Sequence, residues 1–219
     1  LRQGKGIIVV TSGAIAAGRQ RAEAINGREA MLKMTTQQLA TCGTIAMFGA
    51  WEAAWEEQGV LSGSVAVTHR QLAGRSLWKR FSNRHEKRVF AQTLKDNRES
   101  GMATNTNESD AISIAELFKE NDGLGCHVSM TANADEYQMF TKNGGLVDEN
   151  GQLVDVINNG NIDWARELVA SRETSVTGRG GFSAKIEAGW EAAQAGIASS
   201  IAAVNKDMTG ERVTRFVVG

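Results

Sequence analysis

Proline is absent from this chain of 219 residues. Average usage of about 5% predicts about 11 prolines in a chain of this length, so the composition is not typical of a natural sequence. The remaining totals are those of an ordinary globular protein: 42% of the residues are hydrophobic, 22% are charged, and the formal net charge is -1. Such a chain can bury a sizeable core, and its charge does not favour nucleic acid or an anionic membrane as a partner.

Cysteine, histidine and long apolar runs are also scarce. The two cysteines, Cys42 and Cys126, are far apart, and no histidine stands at metal-ligand spacing from either. This pattern favours neither a disulfide framework nor a zinc site. No apolar run is long enough to cross a membrane, and residues 1–6 lack the form of a signal peptide. We therefore expect a cytoplasmic protein with no membrane segment and no metal site formed by its own side chains.

Apolar strands alternate with amphipathic helices along most of the chain. The pattern predicts a buried strand over 7–11 and a long helix over 28–58 with a break near 35–36. Further strands are predicted at 64–68, 102–106, 137–141, 199–203 and 213–218, and further helices at 14–23, 77–97, 122–133, 163–170 and 183–195. Residues 143–145 predict the turn of a polar hairpin. This alternation predicts an α/β fold with a mostly parallel sheet, in which ligands bind at the carboxyl ends of the strands.

A cluster of small residues follows the first predicted strand. Ser12, Gly13 and Ala14 lie just past this strand and just before a helix. Backbone amides and a hydroxyl would be exposed there at a helix N-terminus, where anions are favoured. Close packing of the strand against the helix would require the same small residues and is the alternative. The serine does not fit a hydrolase nucleophile elbow, because the glycine two residues before it is missing.

A second glycine-rich turn precedes the helix predicted at 183–195. Its residues are Gly178, Arg179, Gly180 and Gly181, and Lys185 follows one turn into the helix. Amides of such a turn could hold phosphate oxygens while the lysine neutralises charge during phosphoryl transfer. The turn is not a Walker A loop, since no serine or threonine follows the lysine. A surface loop with a solvated lysine is the alternative.

Two polar segments, 105–110 and 120–123, are rich in asparagine, aspartate and glutamate. Their side chains could position a polar substrate, and a carboxylate among them could hold Mg²⁺ or orient a lysine. Asparagine and aspartate also favour turns, which is the alternative.

Residues 69–98 contain nine Lys or Arg against two Asp or Glu, interleaved with aromatic residues. Basic and aromatic residues in this arrangement could bind nucleic acid. At helical spacing, however, the pattern favours an amphipathic helix with its charges in solvent.

Four segments, taken in order, resemble motifs of the glutamate 5-kinases, members of the amino acid kinase family that include the kinase half of pyrroline-5-carboxylate synthase. Residues 10–20 (VTSGAIAAGRQ) resemble the family's serine-glycine-alanine loop, and residues 106–113 (TNESDAIS) resemble its asparagine-glutamate-asparagine-aspartate motif. Residues 120–124 (ENDGL) are similar to the acidic segment that follows, and residues 177–185 (TGRGGFSAK) to the nucleotide loop with its lysine. The motifs occur in the family's order across nearly the whole chain.

The resemblance implies a three-layer αβα sandwich with a mainly parallel central sheet, the amino acid kinase fold, as one domain over residues 1–219. It implies phosphorylation of the side-chain carboxylate of L-glutamate by ATP with Mg²⁺, giving L-glutamyl 5-phosphate in the first step of proline synthesis, and it implies a homo-oligomer. The implied glutamate-binding residues are Ser12, Gly13, Ala14, Asp110 and Asn121. The implied nucleotide-binding residues are Thr141, Lys142, Gly178, Arg179, Gly180, Gly181 and Lys185, of which Lys185 is also the implied catalytic residue.

The implied reaction requires no general base, because the glutamate side chain is already an ionised nucleophile. Catalysis then consists of in-line placement of the reactants, Mg²⁺ on the phosphates and positive charge on the transferring group.

Three features depart from the family pattern. No counterpart of the family's first strand, with its lysine and glycine loop, precedes Ile7, and we expect the domain to lack it. Ser109 replaces the second asparagine of the family's acidic motif, and Lys142 stands where the family has an aspartate. Two alternatives follow: a domain that binds ligand or self-assembles without catalysis, and a kinase for another carboxylate, carbamate or a nucleoside monophosphate. The serine-glycine-alanine loop argues against the second.

Overall fold

The computed structural model of the chain describes residues 5–68, 72, 80–109, 121–173, 181–204 and 212–219. The chain is divided into two compact units, Leu1–Asn121 and Asp122–Gly219. The described strands form a three-stranded sheet in the first unit and a four-stranded sheet in the second.

The sheet of the first unit is entirely parallel. Its strands are β1 (Ile8–Val10), β2 (Ser62–Val67) and β3 (Ala103–Glu108), in the spatial order β1-β3-β2. Val10 of β1 pairs with Thr106 of β3, and Val67 of β2 pairs with Glu108. All three strands therefore end at the same edge of the sheet, and β3 lies between the other two.

The long helix predicted over 28–58 is two helices, and the break lies where the sequence placed it. The described helices of this unit are α1 (Ala14–Asn26), α2 (Arg28–Leu32), α3 (Thr36–Glu57) and α4 (Arg80–Glu99). Thr35 Oγ1 accepts a hydrogen bond from the Gln38 amide at 3.2 Å, and Gln38 Oε1 accepts one from the Thr35 amide at 2.8 Å. This capping box satisfies two amides that have no partner inside the helix, so α3 begins as a new helix.

Two glycines allow α1 and α3 to pack with their backbones in contact. A Cβ atom at Gly18 would overlap the carbonyl oxygen of Leu39, and one at Gly43 would overlap the carbonyl oxygen of Ala14. Beside this crossing lies a small buried cluster of Ala22, Met31 and Leu39. The small residues at positions 14 and 18 thus allow α1 to pack closely against α3, a helix-to-helix contact that was not predicted.

The central strand β3 is polar, and all six of its residues are buried. Thr106 Oγ1 donates a hydrogen bond to the Val65 carbonyl oxygen at 2.8 Å, and Asn105 Oδ1 accepts one from Trp55 Nε1 at 2.9 Å. Buried polar groups are tolerated when they are bonded in this way. These bonds offset part of the cost of burying the strand, although Asn105 Nδ2 is buried without a hydrogen-bond partner among the described residues.

Helix α4 is amphipathic, as the spacing of its apolar residues predicted. Phe90 and Leu94 are buried, whereas Arg84 and Arg88 are exposed. This division favours the interpretation of the basic residues as a solvated helix face.

The sheet of the second unit is mixed. Its strands are β4 (Glu136–Thr141), β5 (Val156–Asn158), β6 (Ala198–Ala203) and β7 (Thr214–Val217), in the order β4-β6-β7-β5. The β4–β6 and β5–β7 pairs are parallel, and the β6–β7 pair is antiparallel. The described helices are α5 (Asn121–Ala132), α6 (Ile162–Glu173) and α7 (Phe182–Gln194).

Helices and strands of the second unit share one hydrophobic core. Buried members include Cys126 of α5, Leu168 of α6, Ile186 and Trp190 of α7, and Met139, Ile201 and Phe216 of the sheet. Arg166 also links α6 to α7, because its guanidinium donates to both carboxylate oxygens of Glu187 at 2.7 and 2.9 Å. These contacts orient α7 within the unit.

The expected α/β organisation with mainly parallel strands is confirmed in both units, and the predicted elements are present with shifted ends. The hairpin lies later in the chain than the predicted turn at 143–145. Its antiparallel bridge joins Val147 to Leu153, and Asp148 Oδ1 accepts hydrogen bonds from the Asn150 and Gln152 amides, so the chain reverses over 148–152. Strand β5 was not predicted, because only two of its three residues, Val156 and Ile157, are apolar, whereas β1 is part of an apolar run over 7–10. Within the described ranges, no helix is long and apolar enough to span a membrane.

We expect Gly43→Ala to lower the free energy of unfolding by about 1–3 kcal/mol, because the new methyl group meets backbone that cannot rotate away. Gly49→Ala is the matched control in the same helix, since a Cβ atom there meets nothing within 4 Å. It should raise the free energy of unfolding by up to about 1 kcal/mol. Urea unfolding followed by circular dichroism measures both, and equal effects would contradict the close contact of α1 with α3.

Stability should decline at alkaline pH because of Cys126. Burial, with a smaller contribution from the charge of Glu191, raises the pKa of its thiol from the ordinary 9.0 to about 12. The unfolded chain loses this proton first as the pH rises, so it binds fewer protons than the folded chain between these values. The free energy of unfolding should therefore fall from about pH 9 upward, by on the order of 1 kcal/mol at about pH 10.

Cys126→Ala should remove this part of the pH dependence, and Val128→Ala is the control. Val128 is buried in the same helix, so its truncation weakens packing but retains the thiol. Urea unfolding at a series of pH values measures the slope, and equal slopes in the two variants would show that the thiol is not the cause.

Candidate functional site

The serine-glycine-alanine loop joins β1 to α1 at the edge where the parallel strands of the first unit end. The Thr11 amide still donates to the Thr106 carbonyl oxygen at 2.9 Å, so the chain leaves the sheet after Thr11. Gly13 then turns it into α1 with φ 110°, a conformation that glycine adopts without strain. Ser12 and Gly13 are exposed, and Ala14 is buried as the first residue of the helix.

Helix α1 begins without a side-chain cap. Its N-cap is Gly13, which has no side chain to bond the first amides, and its first turn contains no acidic residue. The first amides of a helix have no partner inside it and carry partial positive charge. The start of α1, together with the Ser12 hydroxyl, can therefore receive an anionic group such as a carboxylate.

Two tryptophans of α3, to which no motif pointed, hold the strands beneath this loop. Trp51 Nε1 donates a hydrogen bond to Thr11 Oγ1 at 3.0 Å, and Trp55 Nε1 donates one to Asn105 Oδ1 at 2.9 Å. Residues four apart lie on one face of a helix, so both indoles reach the sheet from the same side. That spacing was the signal available in the sequence. The Trp51 indole thus anchors Thr11, the residue directly before Ser12.

The ends of β2 and β3 lie at the same edge of the first unit as the loop. The Ser109 amide donates to the Val67 carbonyl oxygen at 2.7 Å, which continues the pairing of the two strands past β3. Asn107 and Glu108, which precede Ser109, are buried. Asp110, the predicted glutamate-binding residue, lies outside the described residues.

In the second unit, Lys185 forms an ion pair with Asp122. Lys185 Nζ lies 2.7 Å from Asp122 Oδ2, and each side chain is only 18% exposed. The surface pair of Lys33 with Glu29 is 74% and 89% exposed by comparison. Lys185 belongs to the first turn of α7 and Asp122 to the first turn of α5, so the pair joins the starts of two helices. Asp122 was not predicted as a site residue, although its acidic segment indicated that a carboxylate could orient a lysine.

Helix α7, like α1, begins at a glycine. Its N-cap is Gly181, which has no side chain to bond the first amides, and its first turn contains no acidic residue. Lys185 places an ammonium group beside the partial positive charge of the helix start, and Asp122 offsets part of its charge at 2.7 Å. A lysine at a helix start is an arrangement that can bind phosphate groups.

Thr141 and Lys142 follow the end of β4. Thr141 Oγ1 donates to the Gly144 carbonyl oxygen at 2.6 Å and accepts from the Gly144 amide at 2.8 Å. Its hydroxyl thus closes the turn over 141–144. The Lys142 side chain is exposed.

Only part of the predicted site can be located. The structure brings together Ser12, Gly13 and Ala14 in the first unit, and Gly181 and Lys185 in the second. Asn121 is the first residue of α5, directly before Asp122. Gly178, Arg179 and Gly180 lie outside the described residues, like Asp110. The binding role of each of these residues, and the hypothesis that they face one cleft, stay predictions.

Comparisons with known proteins agree on a single family. The model of the amino acid kinase family matches residues 1–203. The chain is 30% identical over its whole length to glutamate 5-kinase of Kosmotoga olearia and spans 56% of that protein. It is 32% identical, over 91% of its length, to glutamate 5-kinase of Aliivibrio salmonicida and spans 53% of it. The chain thus spans about half the length of these curated relatives.

Solved structures of the same fold also match. Giardia carbamate kinase superposes with a TM-score of 0.58 at 15% identity, covering 100% of this chain and 85% of the kinase. Escherichia coli aspartokinase III superposes with a TM-score of 0.56 at 14% identity, covering 91% of this chain and 45% of that one. At such identities the likeness shows the fold alone, which is the one that the sequence motifs implied. Because the family model covers nearly the whole chain and the fold agrees with it, the chain belongs to the amino acid kinase family.

Proposed function

We propose that this chain is the kinase domain of a glutamate 5-kinase, which transfers the γ-phosphoryl group of ATP to the side-chain carboxylate of L-glutamate. The observation that carries the proposal is Lys185 at the start of α7, held 2.7 Å from Asp122. The names of the relatives at 30% and 32% identity support L-glutamate as the acceptor.

The serine-glycine-alanine loop is the proposed place for glutamate. The Ser12 hydroxyl is exposed beside the uncapped start of α1, and the amides of Gly13 and Ala14 are the first that the chain offers there. A carboxylate accepts hydrogen bonds from such groups and is favoured by the partial positive charge of the helix. Asn121 and Asp110 would complete the glutamate site, as the resemblance implies.

The start of α7 is the proposed place for the phosphates of ATP. The Gly181 turn supplies amides, Lys185 supplies a full charge, and Thr141 and Lys142 would contact the nucleotide as the resemblance implies. Within the described ranges, no three His, Cys, Asp or Glu side chains are grouped closely enough to hold a metal ion. That arrangement fits Mg²⁺ bound mainly through the phosphates of ATP, with one or two carboxylates. Asp122 is the carboxylate beside Lys185, and the bound ion would neutralise charge on the phosphates.

The chemical step needs positioning and charge rather than proton transfer. A carboxylate oxygen of glutamate forms a bond to the γ-phosphorus, the bond from that phosphorus to the bridging oxygen breaks, and ADP leaves. The nucleophile is already ionised, so no residue must remove a proton. Lys185 neutralises negative charge on the transferring group, and Asp122 orients Lys185.

The rest of the proposal follows from the family resemblance. The reaction would be the first step of proline synthesis in the cytoplasm, and the protein would be a homo-oligomer. Size-exclusion chromatography with light scattering would measure the oligomeric state directly.

The purified chain should release ADP from Mg-ATP only when L-glutamate is present, and hydroxylamine should trap the acyl phosphate. We expect Lys185→Gln to lower kcat by about 10²–10³-fold, because it removes a charge from the transition state. The control is Lys33→Gln, which replaces an exposed lysine at the C-terminal end of α2 and should leave kcat unchanged.

Other outcomes would support one of the alternative functions instead. Binding of Mg-ATP and L-glutamate in calorimetry without turnover would indicate a domain that binds but does not catalyse. Turnover with L-aspartate, carbamate or a nucleoside monophosphate in place of L-glutamate would assign a different acceptor. Full activity of Lys185→Gln would remove the catalytic role of this lysine.

Ser12→Ala should raise the KM for L-glutamate by about 10-fold or more and leave the KM for ATP unchanged. The lost hydroxyl would be a hydrogen-bond donor to a charged group, which makes it worth more than a neutral bond. Ser100→Ala, at an exposed turn after α4, is the control. Steady-state kinetics with each substrate varied separately measures the effect, and a rise confined to the KM for ATP would contradict the assignment.

A further inference from the structure

Tyr137 is the single tyrosine of the chain. Its hydroxyl forms a hydrogen bond with the backbone of Asp122, the residue that pairs with Lys185. It lies in β4 and packs against the core of the second unit. Tyr137 Oη donates a hydrogen bond to the backbone carbonyl oxygen of Asp122 at 2.8 Å. Asp122 is therefore held twice: its carbonyl oxygen by Tyr137, and its carboxylate by Lys185 at 2.7 Å.

Gly125 of α5 leaves room for the Tyr137 ring. A Cβ atom at Gly125 would lie 2.6 Å from Tyr137 Oη and 2.9 Å from Cε2, closer than such atoms approach in proteins. With a Cβ atom at position 125 the Tyr137 ring would have to shift from its place against the helix, and with it the hydroxyl that reaches the Asp122 carbonyl oxygen. Tyr137 and Gly125 thus form a matched pair.

The phenol remains a donor at any pH at which the protein would work. Burial raises the pKa of Tyr137 well above its ordinary value of 10.0, and the charges of Asp122 and Cys126 raise it further. The hydroxyl keeps its proton, so its bond to the carbonyl oxygen persists.

We propose that Tyr137 is a positioning residue, which fixes the first turn of α5 so that Asp122 holds Lys185 in place for phosphoryl transfer. The proposal rests on the function proposed above. In-line transfer is sensitive to displacements of about 1 Å, which can lower a rate by about 10²-fold. Loss of one hydrogen bond to the backbone of Asp122 can therefore affect the rate without removing any group that touches substrate.

Tyr137→Phe removes the hydroxyl and keeps the ring. In the full chain, we expect kcat to fall by about 10–100-fold with the KM for L-glutamate unchanged. We also expect Lys185 to react faster with an amine-modifying reagent, measured by peptide mass spectrometry, because a displaced Asp122 no longer shields its amine.

Ser199→Ala is the matched control. Ser199 Oγ donates to the Gly189 carbonyl oxygen of α7 at 2.6 Å, so this variant also removes a hydroxyl bonded to a helix carbonyl. The bond lies away from the first turn of α7. Ser199→Ala should lower stability comparably but change neither kcat nor the labelling of Lys185.

A second pair of variants tests the role of Gly125. Gly125→Ala should displace the phenol and lower kcat as Tyr137→Phe does. In a Tyr137→Leu background, which lacks the ring, Gly125→Ala should have little further effect on kcat, because contacting residues are not additive. Additive effects would show that Gly125 does not act through Tyr137.

Labelling of Lys185 decides the proposal even in an inactive chain. Faster labelling in Tyr137→Phe but not in Ser199→Ala supports it, and any other labelling result overturns it. If the wild-type chain shows glutamate-dependent ADP release, an unchanged kcat in Tyr137→Phe also overturns it. If the wild-type chain lacks that activity, the proposed function is wrong. The labelling rates alone then show whether Tyr137 positions Lys185.

Discussion

The ion pair between Lys185 and Asp122 is the contact on which the candidate nucleotide site depends. It joins the first turns of α7 and α5 and is largely shielded from water, with both side chains 18% exposed. Removing two charges from water carries a desolvation cost, so such a pair specifies geometry more than it adds stability. Here it holds the Lys185 ammonium group at the start of α7. Because the Asp122 carboxylate offsets the charge of that group, the pair fixes the position of the lysine rather than concentrating positive charge.

Helix starts differ in what bonds their first amides. The side chains of Thr35 and Gln38 satisfy amides at the start of α3, whereas α1, α2 and α7 begin at glycines, which have no side chain to cap them. Amides left without a partner are a cost in stability that an anionic ligand can offset. The resemblance implies ligands at the starts of α1 and α7 but none at the start of α2. A glycine at the start of a helix is therefore not by itself evidence of a binding site.

Much of the fold could be predicted from the sequence, because helix and strand periods depend on neighbouring residues. The break before α3 was predictable from Thr35 and the apolar pattern around it. Strand β5 and the turn over 148–152 were missed, since β5 contains only two apolar residues and the turn signal at 143–145 placed the hairpin too early in the chain. The buried position of the polar strand β3 depends on partners such as Trp55, which is 50 residues away along the chain.

By itself the sequence determined the α/β class, the order of helices and strands, and the small-residue turn at 12–14. These follow from periodicity and from the conformations that glycine permits. Only the tertiary structure decided that Asp122 pairs with Lys185, that Tyr137 bonds the Asp122 backbone, and that an indole anchors Thr11. Lys185 and Asp122 are 63 residues apart. Such pairs form only when helices and strands pack. A local sequence pattern does not specify which distant side chain will lie beside a given residue.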